Sequence, residues 1–322
     1  MKKTSICTIL YAFLLILRAG CQESGYGPGF QTIMNTNPAY SGGEGDGMLR
    51  LSYLNFYPGN NFNLHSFFIS YDTYVSGLHG GTGAWLSNDY LGGIINDLRG
   101  GLSYSYHLQV DRNFYINAGL SASFYHRGIN RSNIILPDQV DALNGISSSS
   151  GETLTTRGRT VFDVGAGFLF IMGRYFGSIS FNHLAKPDLS GDGTSGERLN
   201  RKATIRFSGS FEINQKIHLN AVPVYFGELQ GNRFLTGIGG VIESPIFSIN
   251  AMLLTNSAKD LDLQSGFSIK KGPLMIYYNY CFNISSGNKL LPASLLHQAG
   301  ITVSVKNIDK RKIINTINYP KL

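Results

Sequence analysis

The chain has 322 residues, with 39 Gly, 20 Phe and 18 Tyr against only 15% charged residues. No stretch beyond the first twenty residues stays apolar for the ~20 residues a membrane-spanning helix requires, which excludes a helical membrane protein; the glycine and aromatic content favours all-β structure with many turns. Of the formal charge of +7, Lys2, Lys3 and Arg18 supply +3 and residues 306–322 supply +4, so the middle is neutral and offers no basic face for nucleic acid.

Residues 1–21 join Lys2 and Lys3 to an apolar core, Ile6 to Leu17, and to Ala19-Gly20-Cys21, the pattern of a cleaved export signal. Cys21 also raises lipidation, but Arg18 stands where a lipobox wants an apolar residue. Cys7 leaves with the leader, so Cys281 and at most Cys21 remain and no disulfide framework is expected. Residues 22–46 have no strand pattern. Their Phe30, Ile33, Met34 and Tyr40 need an apolar place, so this segment is expected to be a periplasmic coil or a plug folded back into whatever follows.

From residue 47 the apolar residues recur with period two. In Val161–Met172 one face reads Phe162, Val164, Ala166, Phe168, Phe170, Met172, and the other begins Asp163, Gly165, Gly167. After Gly173-Arg174 a second run alternates Tyr175, Gly177, Ile179, Phe181 against Ser178, Ser180, Asn182, which makes a hairpin of two membrane-crossing strands. The same reading places strands at 47–57, 62–74, 78–89, 100–110, 113–126, 160–172, 174–185, 201–213, 216–226, 232–243, 245–256, 260–270, 273–284 and 295–306. Fourteen strands with one apolar and one polar face predict a single transmembrane antiparallel β-barrel over residues 47–306, its apolar face toward lipid.

An even strand number puts both chain ends on one side, expected to be the periplasm. Connections on that side, such as Asp111-Arg112, Gly173-Arg174 and Lys271-Gly272, are short; those on the other, Tyr90–Arg99, Arg127–Arg159, Lys186–Asn200 and Ser285–Ser294, are long. Outward rows such as Ala203, Ile205, Phe207 and Phe211 carry no charge, since a cation facing lipid at mid-depth costs ~2–4 kcal/mol. That leaves Asp163, Arg206 and Glu212 as candidate lumen charges, expected to form ion pairs in a wet interior. Tyr53, Phe56, Tyr57, Tyr71, Tyr74, Tyr125 and Tyr175, near strand ends, suit the aromatic girdles. The first two strands alternate poorly, and their facing stays open.

No chemistry stands out. Of His65, His79, His107, His126, His183, His218 and His297 only His107 has a serine two positions away, Ser105, and no two histidines sit at a ligand spacing on one strand. Asp188–Asp192 faintly resembles a calcium loop without its terminal Glu, and a turn-rich outer loop is the plainer reading. Gly80-Gly81-Thr82-Gly83 lacks the following helix of a phosphate loop; its glycines instead let a neighbour or a plug approach closely. No catalytic group, metal or cofactor is expected.

Asn37-Pro38-Ala39-Tyr40-Ser41-Gly42, and less closely Ile317-Asn318-Tyr319-Pro320 at the end, resemble the PorP/SprF family of outer-membrane barrels linked to type IX secretion and gliding motility in Bacteroidetes. Asp72, Ala84-Trp85, Asn88-Asp89, Leu102–Tyr106, Asn182-His183-Leu184 with Lys186-Pro187, and Leu296–Gly300 look like further family blocks. Tyr319 stands where members usually have Cys, so any role of that cysteine is absent here. The resemblance implies an accessory barrel that docks or helps display a secreted surface protein, adhesin-like, and contacts secretion components; a transport barrel or porin for a small solute or lipid is the alternative. In the tail, the cluster Lys310, Arg311, Lys312 followed by Ile313, Ile314 and Ile317 is the candidate for docking a periplasmic partner, with a solvated free end as its plainer reading.

Overall fold

The computed structural model describes residues 32–58, 64–130, 158–189, 198–286 and 294–306, with the backbone of 140–141 and 145–146. Fourteen strands form one antiparallel sheet. They are β1 (Gly47–Phe56), β2 (Leu64–Val75), β3 (Gly80–Leu91), β4 (Ile95–Asp111), β5 (Phe114–Ile129), β6 (Arg159–Met172), β7 (Tyr175–Asn182), β8 (Lys202–Gly209, continued by Phe211–Asn214), β9 (Leu219–Gln230), β10 (Arg233–Glu243), β11 (Phe247–Asn256), β12 (Leu261–Lys271), β13 (Leu274–Ser285) and β14 (Ser294–Val305). Each pairs with its sequence neighbour, and β14 pairs with β1 from Gly47↔Val305 to Phe56↔Leu296, so the sheet closes on itself and keeps no edge. The strands expected from alternation are all present.

Period-two alternation becomes an outer apolar coat. Phe162 is 79% exposed, and Leu102, Leu120 and Ile238 are each about two-thirds exposed, with Phe168, Phe170, Ile205, Phe207, Ile249 and Ile269 in the same coat. A belt of that extent suits hydrocarbon and not water.

Three details differ from the alternation reading. Tyr90–Arg99 is no long loop: β3 runs to Leu91 and β4 resumes at Ile95, because Gly92 and Gly93 adopt the left-handed backbone of a tight turn. With residues 231–232 and 257–260 also short, one rim carries only short turns and the other a mixture. Phe56, Tyr74 and Tyr125 are not girdle residues; parity turns them inward, and Tyr74 and Tyr125 are buried. The interior is also less polar than expected, since Leu54, Val222, Val224, Phe226, Val241, Met252, Leu254, Cys281 and Leu296 meet there as one apolar cluster.

Candidate functional site

Inside β3 to β7 part of the wall is made of small residues. Gly81 and Gly83 of β3, Ser103 and Ser105 of β4, Gly119 of β5, Gly167 of β6 and Ser178 and Ser180 of β7 line a hollow that large side chains would have filled. Residues Thr32 to Asp46 occupy it. The segment is one helical turn, α1 (Ile33–Thr36), followed by a 3₁₀ turn over Pro38–Tyr40, after which the chain reaches the start of β1.

Each residue of the Asn37–Gly42 motif has a physical task there. The Asn37 side-chain oxygen caps the 3₁₀ turn by accepting from Ala39 N–H at 2.9 Å, and its amide donates to the Phe168 and Ile179 carbonyls of β6 and β7 at 3.3 and 3.4 Å. Pro38 fits the first turn position, where its missing N–H is not needed. Ala39 is fully buried against Leu169, Ile171 and Phe176, and its carbonyl accepts from Ser105 Oγ at 3.0 Å. Tyr40 donates to Ser178 Oγ at 3.1 Å. Ser41 meets Ser103 Oγ at 2.7 Å, and its carbonyl lies 3.1 Å from His107 Nε2. Gly42 has a left-handed backbone (φ +66°), and a Cβ on it would lie 2.4 Å from the Gly81 Cα. The wall glycines answer in kind: a Cβ on Gly119 would come within 2.3 Å of Ala39 N, and one on Gly167 within 2.1 Å of Asn37 Oδ1.

Buried ion pairs bracket the segment. Where it leaves toward β1, Asp72 of β2 accepts from Gly42 N–H at 2.7 Å and pairs with Arg50 of β1, which also reaches Glu44 at 2.8 Å. On the opposite side of the segment, toward the mixed rim, Arg99 pairs with Asp89 at 2.5 Å, and Arg127 grips Asp97 with two donors at 2.9 Å each. The Tyr125 hydroxyl bonds the same Asp97 and its ring lies beside both arginines. Asn182 donates to the Thr36 carbonyl at 2.8 Å, and His183 Nδ1 lies 2.6 Å from Asp163.

The three charges picked out by alternation do not meet. Asp163 faces inward but partners His183. Arg206 faces inward too, its guanidinium over the Phe226 ring at 6.0 Å and beside the Tyr40 hydroxyl. Glu212 is exposed, past the break at Ser210; it pairs with Asn220 while Arg206 pairs with Phe226, six residues and ~20 Å along the strand. Alternation missed the pairs of Arg50, Arg99 and Arg127, although each stands at an inward position of its strand. Asp188 forms a bridge with Arg198 and an ion pair with Arg159 at 3.7 Å, and among the described residues no three metal-ligating side chains converge. Asp192 and the tail candidates Lys310 to Ile317 lie outside the described residues.

Below the segment, at the rim of short turns, a cavity of about 580 Å³ opens between Phe176, Asn220, Ser248, Ser268, Lys270 and Met275.

The family model of type IX secretion system membrane proteins PorP/SprF matches residues 29–298, which takes in both the internal segment and almost the whole wall. The chain belongs to the PorP/SprF family. No curated protein matches it. Among solved structures, the TodX deltaS2S3 mutant monoaromatic hydrocarbon channel is similar with a TM-score of 0.50 at 10% identity, covering 90% of this chain and 96% of that one. The Acinetobacter baumannii outer membrane protein Omp33 has a TM-score of 0.47 at 7% identity, covering 82% and 100%. At such identities the likeness concerns the barrel alone. This PorP/SprF protein is a bacterial outer-membrane β-barrel of type IX secretion, and the motif by which its sequence resembles the family is the part of the chain held inside the barrel.

Proposed function

We propose that this PorP/SprF barrel works as a docking platform: it anchors or helps display a secreted, adhesin-like surface protein on its mixed rim and contacts secretion components on its short-turn rim. The observation that carries this reading is the filled interior. Residues Thr32–Asp46 occupy one half and the cluster around Phe226 the other, so the surfaces free to act are the rims. A solute conduit, the alternative reading, would require at least one of these blocks to withdraw. In the docking reading the protein has no catalysis of its own, residues 1–21 are removed on export, and both chain ends lie in the periplasm, consistent with Gly47 and Val305 being paired at one rim.

Cross-linking the tagged barrel on intact cells is expected to recover one secreted surface protein, while the purified barrel in planar bilayers gives no steady conductance. Recovery of no such protein, together with a stable open pore, would replace this reading by the transport one. Lys310, Arg311, Lys312, Ile313, Ile314 and Ile317 belong to the same proposal. Deleting residues 307–322 should leave a folded, heat-modifiable barrel with reduced display of the partner, and unchanged display at equal barrel levels would remove the tail from it.

A further inference from the structure

The outer surface is not uniform around the barrel. Where β14 closes on β1, the register lines up outward residues of five adjacent strands in one row: Tyr90 of β3, His65 of β2, Asn55 of β1, His297 of β14 and Tyr280 of β13. The rings are in contact. His65 stacks on Tyr90 with centroids 4.9 Å apart at 16°, and His297 lies 4.8 Å from Tyr280. The Tyr278 hydroxyl is hydrogen-bonded to His297 Nδ1; with that hydroxyl donating, the ring proton sits on Nε2, which is then a donor.

Directly beneath this row, toward mid-membrane, lies a groove of about 620 Å³ whose walls are almost wholly apolar. Two further register rows make it. Phe67, Tyr53 and Ala299 come first, with Tyr278 next to Ala299 in register, then Ile69, Leu51, Ile301 and Ile276. Ala299 is the reason for the hollow, because it is the one small residue between two tyrosines. On the far wall, β9 to β11 present outward Leu229, Phe234 and Leu253 and contain no histidine. An ordinary girdle needs aromatic rings at the interface; it does not need two imidazoles and an amide in register above an acyl-shaped hollow.

We infer that this seam is a specific binding site for a lipid with a phosphate headgroup, an acyl chain lying in the Ala299 groove and the phosphate accepting from the His65, Asn55 and His297 row. The complementarity is the argument: N–H donors at headgroup height over an apolar groove, on a surface that already faces the bilayer. The site is independent of the docking reading, since none of its residues lies inside the barrel or on a rim loop.

The test is native mass spectrometry of the full-length barrel in mild detergent, offered dioleoyl-phosphatidylglycerol or, separately, dioleoylglycerol without phosphate. The wild type should retain one phosphatidylglycerol under activation that strips dioleoylglycerol. The double variant His65→Ala/His297→Ala should lose that retention by roughly tenfold, as fits removal of charge-assisted hydrogen bonds. Ala299→Phe, which fills the groove, should retain neither lipid; should it fail the heat-modifiability test for folding, the milder Ala299→Leu takes its place. Equal retention of the two lipids, retention unchanged in the double histidine variant, or a dimer in place of a lipid adduct would each overturn the inference.

Discussion

The two halves of the barrel solve one problem in opposite ways. A closed sheet of fourteen strands encloses more volume than its wall alone fills if inward residues are small. From β9 around to β1 large inward side chains fill the space from the wall itself: Val222, Phe226, Met252, Leu254 and Leu54 form an apolar cluster, beside inward polar residues such as Asn250, Gln264, Asn279 and Gln298. From β3 to β7 the inward positions include a patch of glycine and serine, and the space over it is filled by residues Thr32–Asp46. The first half is packing, which tolerates exchange of apolar residues of like volume. The second is a fit of backbone to backbone, with Ala39, Asn37 and Gly42 at distances where no Cβ could intervene.

The sharpest way to break the contrast is to damage each half in its own manner. Phe226→Ala, in the self-filled half, should cost about 3–5 kcal/mol by leaving a cavity, yet leave the internal segment seated. Denaturant unfolding in detergent measures the first, and resistance of residues 32–46 to added protease measures the second. Protease release of that segment in Phe226→Ala would show that the halves are not separate. Gly119→Val should do the reverse: the overall loss is about 1–3 kcal/mol, but the new side chain meets the backbone of Pro38 and Ala39, neither of which can rotate away, so the segment is expelled. Single-channel conductance should then appear in this variant alone. A finer cut is Asn37→Ala, which removes the cap of the 3₁₀ turn and two bonds to the wall; it should cost about 1–3 kcal/mol and loosen the segment without ejecting it, seen as faster amide exchange at Ala39 and Tyr40.

The same contrast explains what could be read from the sequence. Alternation located the fourteen strands because lipid imposes an uncharged outer face on every strand, and β6, with Phe162 to Met172 outward, obeys it throughout. The inner face is under no such rule. Leu54 and Phe68 point inward and are as apolar as the outward Leu51 and Phe67, which is why β1 and β2 alternate poorly. The partners of inward charges were illegible for a different reason: Asp163 meets His183 through a cross-strand neighbour's end, and Arg50 meets Glu44 through the internal segment, neither of which strand parity contains. The glycines of Gly80–Gly83 did signal a close approach, and Gly81 and Gly83 meet Ser41 and Met34.

The smallest expected effect tests the far side of the segment-bearing half, where His183 lies just beyond the end of β7. Its Nδ1–H donates to Asp163, and burial holds the imidazole below its ordinary pKa; the Asp163 hydrogen bond opposes that shift and the positive charges of Lys202 and Arg99 add to it. The folded state therefore disfavours the imidazolium relative to the unfolded chain. At pH above the unfolded value of about 6.5 both states carry a neutral ring and the histidine contributes no pH dependence. As the pH falls below that value the unfolded chain takes up a proton that the folded one resists, so stability is lost progressively until the folded pKa is passed. The barrel should thus unfold at lower denaturant at pH 5 than at pH 7.5. His183→Asn keeps a donor for Asp163 and tolerates the left-handed backbone at this position (φ +58°), but cannot titrate, so part of that pH dependence should vanish with the stability at pH 7.5 little changed. An identical pH profile in His183→Asn would mean that the acid sensitivity resides in other groups, and that the Asp163–His183 contact serves only to hold the end of β7 against β6.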